Sequence, residues 1–195
     1  MTDKMSLKIP VEIETERLVL RCYEPGDGEW YWEMSQKNQA HLLPFESGNA
    51  ALAIKSPEDA EILMREFASA WAARKYFFLG AFEKASLDFV AQVYIGGVNW
   101  DLPEFEVGYF ADRDHEGRGF VTEAVRGALN LIFDILQANR VSLQCDPANV
   151  RSIRVAERCG FVREGVIRQN HLAVDGSVHD SLCYGLLKIE FEASH

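Results

Sequence analysis

The chain has 195 residues, of which 48% are hydrophobic, and a formal net charge of -10 at pH 7. This length and apolar content suffice for one buried core, so we predict a single domain over residues 1–195. The acidic balance excludes general nucleic-acid binding, because that mode of binding neutralises phosphates with a basic face. Charged side chains interrupt the first twenty residues, which do not resemble a signal peptide, and no apolar run is long enough to span a membrane.

Cysteine and histidine usage predicts a reducing compartment and no metal. The cysteines are widely spaced and form no C-x-x-C pair, a pattern typical of reduced, buried thiols. We therefore predict the cytoplasm as the compartment. The four cysteines are Cys22, Cys145, Cys159 and Cys183. Four histidines lack the spacing of metal ligands, namely His41, His115, His179 and His195.

The first half of the chain predicts two helices and the start of an antiparallel sheet. ERLVLRCY at residues 16–23 alternates like a half-buried strand, and an aromatic-rich helix is expected from about Asp27. Loop-like sequence then runs to Lys55. Residues 56–59 (SPED) supply an N-cap serine, a proline at the first helical position and acids in the first turn, which predicts a helix to about Lys75. Three strands should follow as an antiparallel meander, at residues 76–83, 89–100 and 104–110.

The second half alternates between helices and strands. Apolar residues at helical spacing predict a long helix over residues 121–136, and RVSLQC at residues 140–145 predicts a strand. A further helix is expected at residues 150–159. Two closing strands, at residues 161–174 and 177–189, should flank a turn at Asp175 and Gly176. This order of elements indicates a mixed α/β (α+β) sheet.

The most informative segment lies where a strand ends, a Gly117-x-Gly119 turn follows and the long helix begins. Glycines allow a backbone to approach a ligand closely, and the amides of residues 115–120 would point outward at the positive end of the helix dipole. This arrangement suits a pyrophosphate, to which Thr122 could add a hydroxyl and Arg118 a charge. A Rossmann fingerprint needs a third glycine where Thr122 stands, and a P-loop needs Gly-Lys-Ser/Thr, so neither motif is present. The alternative is a glycine turn that only starts a helix.

The same region is rich in arginine within an acidic protein. Nine arginines lie between Arg113 and Arg168, so an anionic ligand could dock there. The alternative is that these side chains are solvated helix faces. The acidic remainder of the chain would attract a cationic substrate, or serve only solubility.

These motifs together resemble the GNAT superfamily of N-acetyltransferases, and more closely its branch of RimJ/RimL-type ribosomal-protein N-terminal acetyltransferases. The matching segments run over nearly the whole chain in the family's order. They are TERLVLR at 15–21, EVGYF at 106–110, GRGFVTEA at 117–124, NVRSIRVAERCGF at 149–161, and DG, HD and Y between 175 and 184. One departure is Asp114, where the family loop often begins with Gln or Arg.

The resemblance implies a GNAT fold with a mostly antiparallel sheet of about seven strands, splayed central strands and helices on both faces. It also implies an acetyl-CoA-dependent acyltransferase that moves an acetyl group directly onto a primary amine. The loop backbone would bind the pyrophosphate of acetyl-CoA, and the splayed strands would hold the pantetheine arm. The implied acetyl-CoA-binding residues are Phe110, His115, Glu116, Gly117, Arg118, Gly119, Phe120, Thr122, Asn149, Ser152 and Arg154.

Acetyl transfer to an amine needs a proton acceptor for the amine, a polarised carbonyl and a proton donor for the leaving thiolate. The resemblance implies Glu106 as the first candidate base. The alternative is that Glu106 is an exposed or ion-paired strand residue with no catalytic role. His171 is the second candidate, because an imidazole accepts a proton near neutral pH, although a lone histidine is more often structural. Ser152 is implied as the proton donor, and Asn149 as a pantetheine contact that would also cap its helix. Tyr184 is an alternative proton donor, or a side chain that only packs in the core.

Several functions stay open at the level of sequence. The acceptor could be a protein N-terminal amine, a polyamine, an aminoglycoside or another small amine. A non-catalytic acyl-CoA sensor of the same fold is the alternative from another class, and an ordinary α/β domain that binds a different nucleotide is a third. A homodimer is suggested by family habit alone.

Overall fold

A computed structural model describes residues 4–46, 48–173 and 175–194. The described residues form eight strands, which we label in chain order. They are β1 (Glu12–Glu14), β2 (Leu18–Cys22), β3 (Phe77–Glu83), β4 (Phe89–Asn99), β5 (Glu104–Ala111), β6 (Arg140–Cys145), β7 (Val162–Leu172) and β8 (Val178–Leu187).

Five α-helices connect these strands. They are α1 (Gly28–Leu42), α2 (Pro57–Ala72), α3 (Phe120–Asn130), α4 (Val150–Arg158) and α5 (Lys188–Ala193). Local capping explains where two of them begin: the Ser56 hydroxyl accepts a hydrogen bond from the Asp59 amide (3.1 Å), and the Asn149 side chain accepts one from the Ser152 amide (3.1 Å). No described helix is long and apolar enough to cross a membrane.

One sheet contains all eight strands in the order β1-β2-β3-β4-β5-β6-β8-β7. Every neighbouring pair is antiparallel except β5 and β6, which run parallel. That parallel pair is short, since it joins only Glu104, Phe105 and Glu106 to Arg140, Val141 and Ser142. Beyond Glu106 the two strands diverge and leave a V-shaped opening near the middle of the sheet.

Side chains that alternate along the strands fill a core on each face of the sheet. On β3, Phe77 and Leu79 enter the main core with α3, whereas Phe78 and Phe82 pack with the cluster formed by α1 and α2. Helices therefore cover both faces, as a strand with two buried faces requires. The opening between β5 and β6 is thus flanked by α1 and α2 on one side and by α3 and α4 on the other.

Most predicted elements are confirmed, and the differences are local. The sheet has eight strands where about seven were expected, because the three-residue β1 gives almost no periodic signal. The last strand ends at Leu187 and not at Ile189, since a short helix, α5, takes over at Lys188. The long helix changes after Asn130 to a π-helical turn over Leu131–Ile135, and the predicted loop before Lys55 contains a 3-10 turn at Ala50–Ala53. The predicted strand end at Val174 lies outside the described residues.

Candidate active site

The divergence of β5 from β6 creates the central feature of the site. Residues 107–111 of β5 have no strand partner on the β6 side among the described residues. Their backbone groups on that edge are therefore available to a ligand, because strand amides and carbonyls not used in a ladder need another partner. The extended strand leads directly into the Gly117-x-Gly119 loop.

The loop has the backbone conformation that its glycines predict. Gly117 and Gly119 have φ values of +73° and +80°, in the left-handed region that residues with a Cβ avoid. Gly119 is the N-cap of α3. The first amides of α3 therefore point out of the helix end, which favours an anion there.

Asp112, just before this loop, ties it to α1. Its carboxylate accepts hydrogen bonds from Lys37 (2.9 Å), Asn38 (3.0 Å) and the Asp114 amide (3.0 Å), and lies 2.9 Å from His115 Nδ1. Burial opposes ionisation of Asp112, but the hydrogen bonds outweigh it and hold its pKa at about 2. The loop is thus fixed by a buried carboxylate that remains charged.

A cavity of about 590 Å³, which we call the loop cavity, lies along this loop. Its walls come from α1, β5, the loop, α3 and α4. The residues lining it are Ala40, His41, Leu42, Pro44, Phe45, Glu46, Tyr109, Phe110, Ala111, His115, Glu116, Gly117, Gly119, Phe120, Val121, Thr122, Asn149, Arg151, Ser152, Arg154, Val155 and Arg158. Three arginines of the Arg-rich stretch therefore line a space beside the helix N-terminus, where they would add positive charge for an anionic ligand.

A second cavity, of about 480 Å³, lies on the α1 and α2 side of the sheet and is rich in aromatic side chains. We call it the aromatic cavity. Its lining consists of Phe45, Glu46, Gly48, Asn49, Ala50, Leu63, Glu66, Phe67, Tyr76, Phe78, Gln92, Tyr94, Gly108, Tyr109, Phe110 and His171. No lysine or arginine of the described residues is among them, so the charged groups here are carboxylates, with one imidazole.

The two cavities meet at four residues that line both of them: Phe45, Glu46, Tyr109 and Phe110. Tyr109 joins β5 to α4, because its hydroxyl donates to the Ser152 carbonyl (2.9 Å) and accepts from the Ser152 hydroxyl (3.3 Å). Burial raises the pKa of Tyr109 above its ordinary value of 10.0. The hydroxyl therefore keeps its proton at neutral pH and is a possible donor to a ligand at the junction.

Comparison with known proteins identifies the architecture. Residues 17–162 match the model of the acetyltransferase (GNAT) domain. The chain belongs to the GNAT acetyltransferase family. It is 30% identical over 180 residues to the "putative ribosomal N-acetyltransferase YdaF" of Bacillus subtilis, which covers 91% of this chain and 94% of the relative.

Two solved structures share the GNAT fold of this chain. The ribosomal-protein-S5-alanine acetyltransferase of Vibrio fischeri superposes with a TM-score of 0.82 at 20% identity, covering 92% of this chain and 97% of the other. RimL, a ribosomal L7/L12 alpha-N-protein acetyltransferase solved with coenzyme A, gives a TM-score of 0.81 at 18% identity with the same coverage. The predicted family, mixed α/β fold and enzyme class are confirmed: this GNAT chain is an acetyl-CoA-dependent N-acetyltransferase that acts on an amine.

Most of the sequence-predicted acetyl-CoA residues of this GNAT enzyme lie together in the loop cavity. The exception is Arg118, whose guanidinium pairs with Glu83 (3.0 Å) and lies 4.6 Å from the centre of the Phe120 ring. Only the backbone of Arg118 remains a candidate ligand for phosphate. Asn149 does cap α4, so its side-chain oxygen is already used while its NH2 group is still available.

The four predicted catalytic residues do not form one cluster. Ser152 lines the loop cavity and His171, on β7, lines the aromatic cavity. Glu106 lies at the base of the V, beside Tyr94 and the bulged Gly97 of β4, and lines neither cavity. Burial raises the pKa of Glu106. Tyr184 is 2% exposed and packs in the main core, as the alternative reading of this residue expected.

Two residues at the junction, Glu46 and Tyr109, were absent from the sequence-based site. Tyr109 lies inside the EVGYF segment and could have been found from its position just before the loop. Glu46 follows α1 in sequence without periodicity or motif, so no signal marks it. Among the described residues, no group of three or more His, Cys, Asp or Glu side chains is arranged to hold a metal ion. His195, also considered from sequence, lies outside the described residues.

Proposed function

We propose that this N-acetyltransferase modifies the N-terminal α-amine of a protein, with acetyl-CoA in the loop cavity and the acceptor chain end in the aromatic cavity. The observation that carries this proposal is that the two cavities share Phe45, Glu46, Tyr109 and Phe110. An amine in one cavity and a thioester in the other would meet at these residues. Similarity to a relative named as a ribosomal N-acetyltransferase supports a protein as the acceptor.

Acetyl-CoA fits the chemistry of the loop cavity. The backbone amides around Gly117 and Gly119 and the N-terminus of α3 suit the pyrophosphate, and Thr122 offers a hydroxyl. Arg151, Arg154 and Arg158 line the same cavity and suit further phosphate oxygens. The remaining predicted contacts, including Phe110, His115, Glu116, Phe120 and Asn149, are proposed to enclose the rest of the molecule.

The thiolate that leaves needs a proton, and Ser152 is the proposed source. Its hydroxyl is 3.3 Å from that of Tyr109, so a proton given up by Ser152 could be replaced from a neighbouring hydroxyl. Tyr184 is not retained in this role because it is buried in the core. Backbone N–H groups on the unpaired edge of β5 are proposed to polarise the thioester carbonyl.

The aromatic cavity suits a cationic amine attached to an apolar group. Seven of its sixteen lining residues are phenylalanine or tyrosine, whose ring faces attract cations, and its charged lining includes the carboxylates of Glu46 and Glu66. A protonated N-terminus followed by an apolar side chain has this combination of features.

The test is acceptor-dependent release of coenzyme A thiol from acetyl-CoA. Peptides with free N-termini are compared with the same peptides blocked by acetylation, and with polyamines and aminoglycosides. Release that requires the free α-amine supports the proposal, and release with a polyamine or an aminoglycoside alone contradicts it. Binding of acetyl-CoA without release on any acceptor would instead favour the sensor function.

The remaining sequence predictions stay proposals. We retain a single functional domain over the chain and the cytoplasm as its compartment. A homodimer also remains a proposal, supported by the edge strand β7, which exposes Val162, Val166, Ile167 and Leu172. Sedimentation velocity at micromolar concentration would measure it.

A further inference from the structure

We propose that Glu46 is the catalytic base of the transfer, and that its carboxylate takes the proton from the acceptor ammonium. This inference rests on the proposed function, because it needs an amine in the aromatic cavity. It replaces Glu106 and His171 in that role with a residue that neither motif nor periodicity marks.

Position is the first argument. Glu46 lines both cavities at the place where the acceptor nitrogen and the thioester would meet, and its charge acts on the neighbouring Tyr109 hydroxyl. Glu106 lines neither, and His171 lines only the aromatic cavity. A general base must reach the proton that it removes, so geometry ranks Glu46 above the other two.

Local structure holds Glu46 in this place. Its backbone amide donates to the Leu42 carbonyl (2.8 Å), continuing the end of α1, and its carbonyl accepts from the Asn49 amide (2.7 Å). The Asn49 side-chain oxygen accepts from the Ala51 amide (3.0 Å), which leaves the NH2 group of Asn49 to hydrogen-bond the Glu46 carboxylate. One amide side chain therefore orients the carboxylate and is itself held by the backbone.

The surroundings of Glu46 also suit proton transfer near neutral pH. Burial raises its pKa to about 7, although the hydrogen bond from Asn49 acts in the opposite direction. Other elements contribute titratable or charged groups to the same cavities, namely His41, Glu66, Tyr76, Tyr94, Tyr109, His115, Glu116, Arg151, Arg154, Arg158 and His171. Arg151 pairs with Glu116, so its charge is partly neutralised.

The proposed step balances in protons and electron pairs. The acceptor ammonium gives one proton to the Glu46 carboxylate, and the nitrogen lone pair then attacks the thioester carbon to form the C–N bond. As the C–S bond breaks, its electron pair leaves with sulfur and the thiolate takes the proton of the Ser152 hydroxyl. The second nitrogen proton replaces it through the hydroxyl pair of Tyr109 and Ser152, which yields the amide and the free thiol. Glu46 returns its proton to solvent.

The experiment compares Glu46→Gln with Glu106→Gln and His171→Gln on a peptide acceptor that the wild type acetylates. Glu33→Gln is the matched control, because Glu33 is an exposed carboxylate on α1 and lies outside both cavities. We expect kcat of Glu46→Gln to fall by about 100-fold or more while acetyl-CoA still binds. We also expect the wild-type kcat to decline as the pH falls through about 7, and this acid limb to disappear in Glu46→Gln.

A kcat of Glu46→Gln within about fivefold of wild type would overturn the proposal, because removal of a general base costs at least about 100-fold. So would a larger loss with the acid limb unchanged, since that result indicates a structural role. If Glu46→Gln fails to bind acetyl-CoA, Glu46→Asp decides, because it keeps a carboxylate. If Glu46→Asp has a lower kcat and keeps the acid limb, Glu46 is supported as the base. If the kcat of Glu46→Asp equals that of the wild type, the proposal is overturned. A wild type with no acceptor-dependent release would refute the proposed function instead.

Discussion

At the residue scale, Tyr109 and Ser152 form a hydroxyl pair at the meeting point of the two cavities. The Tyr109 proton is directed at the Ser152 carbonyl, and the Ser152 proton at the Tyr109 oxygen. A thiolate is a stronger acceptor than either, so the Ser152 hydroxyl would turn toward the sulfur, and the Tyr109 hydroxyl would turn from the carbonyl to the Ser152 oxygen to replace the proton. The pair would therefore serve the leaving group, while Glu46 serves the amine.

We predict that Ser152→Ala lowers kcat by about 10- to 100-fold, because a positioned proton donor contributes about that much or more. Tyr109→Phe should lower kcat by less, since it removes only the second hydroxyl. Thiol release under saturating acetyl-CoA and acceptor measures both. Ser194→Ala, at the far end of α5, is the control. If Ser152→Ala keeps the wild-type kcat, Ser152 is only a helix residue near the site.

Gly117 offers a second test at this scale, since its backbone lies in the left-handed region and an added Cβ would meet nothing within 4 Å. Gly117→Ala therefore changes backbone strain alone, at a cost of about 1 to 2 kcal/mol. We expect a lower Tm and a weaker Kd for acetyl-CoA, the latter measured by calorimetry. Gly165→Ala is the matched control, because its Cβ also meets open space and its φ is not positive. Equal effects of the two substitutions would contradict a role for the loop conformation.

At the element scale, Asp112 connects α1 to the Gly117-x-Gly119 loop. The folded-state pKa of about 2 is below the ordinary 3.8, so this carboxylate stabilises the fold above pH 4 and loses that contribution as the pH falls toward 2. Its side chain is 2% exposed, and the shift corresponds to about 2 kcal/mol. The link thus couples loop order to the packing of α1.

We predict that Asp112→Asn lowers the free energy of unfolding at pH 7 by about 2 kcal/mol, and that its difference from wild type shrinks between pH 4 and pH 2. Urea unfolding at several pH values measures this. Asp114→Asn is the control: this carboxylate also pairs with Lys37 but is 56% exposed, so its loss should be smaller. A larger effect at Asp114, or a constant difference across the pH range, would be inconsistent with the prediction.

The elements differ in how well sequence predicts them, for physical reasons. The strand RVSLQC was predicted with both of its ends correct, because its apolar residues alternate with polar ones and the residues on either side break the pattern. The last strand was predicted two residues too long, because Leu186, Leu187 and Ile189 continue its apolar pattern into α5. That helix begins where the Leu187 amide donates to the Glu190 carboxylate (2.8 Å), and Phe191 anchors it by stacking on Phe133. Apolar residues keep their helical spacing through the π-helical turn after Asn130, so the periodicity of the sequence does not reveal this turn.

At the scale of the whole molecule, the site was predictable only where it is continuous in sequence. The Gly117-x-Gly119 loop and the N-terminus of α4 are contiguous motifs, and both line the loop cavity. Glu46 comes from the segment after α1 and meets Tyr109 of β5 only through folding. Glu106 carries the right chemistry in the right strand, yet its pairing with Ser142 of β6 puts it at the closed end of the V.

The charge of the whole molecule leads to the last prediction. A net charge of -10 creates a negative potential that attracts a cationic acceptor over distances longer than a contact. Salt screens such attraction, since the Debye length shortens from about 30 Å at 0.01 M to about 8 Å at 0.15 M. We expect kcat/KM for a lysine-containing acceptor peptide to fall several-fold over this range, with kcat nearly constant because the attraction acts on encounter.

A peptide with the same N-terminus and neutral side chains should respond less, because only its α-ammonium carries positive charge. If both peptides respond equally, the overall charge of the protein does not guide the acceptor, and the carboxylates of the aromatic cavity alone account for its recognition.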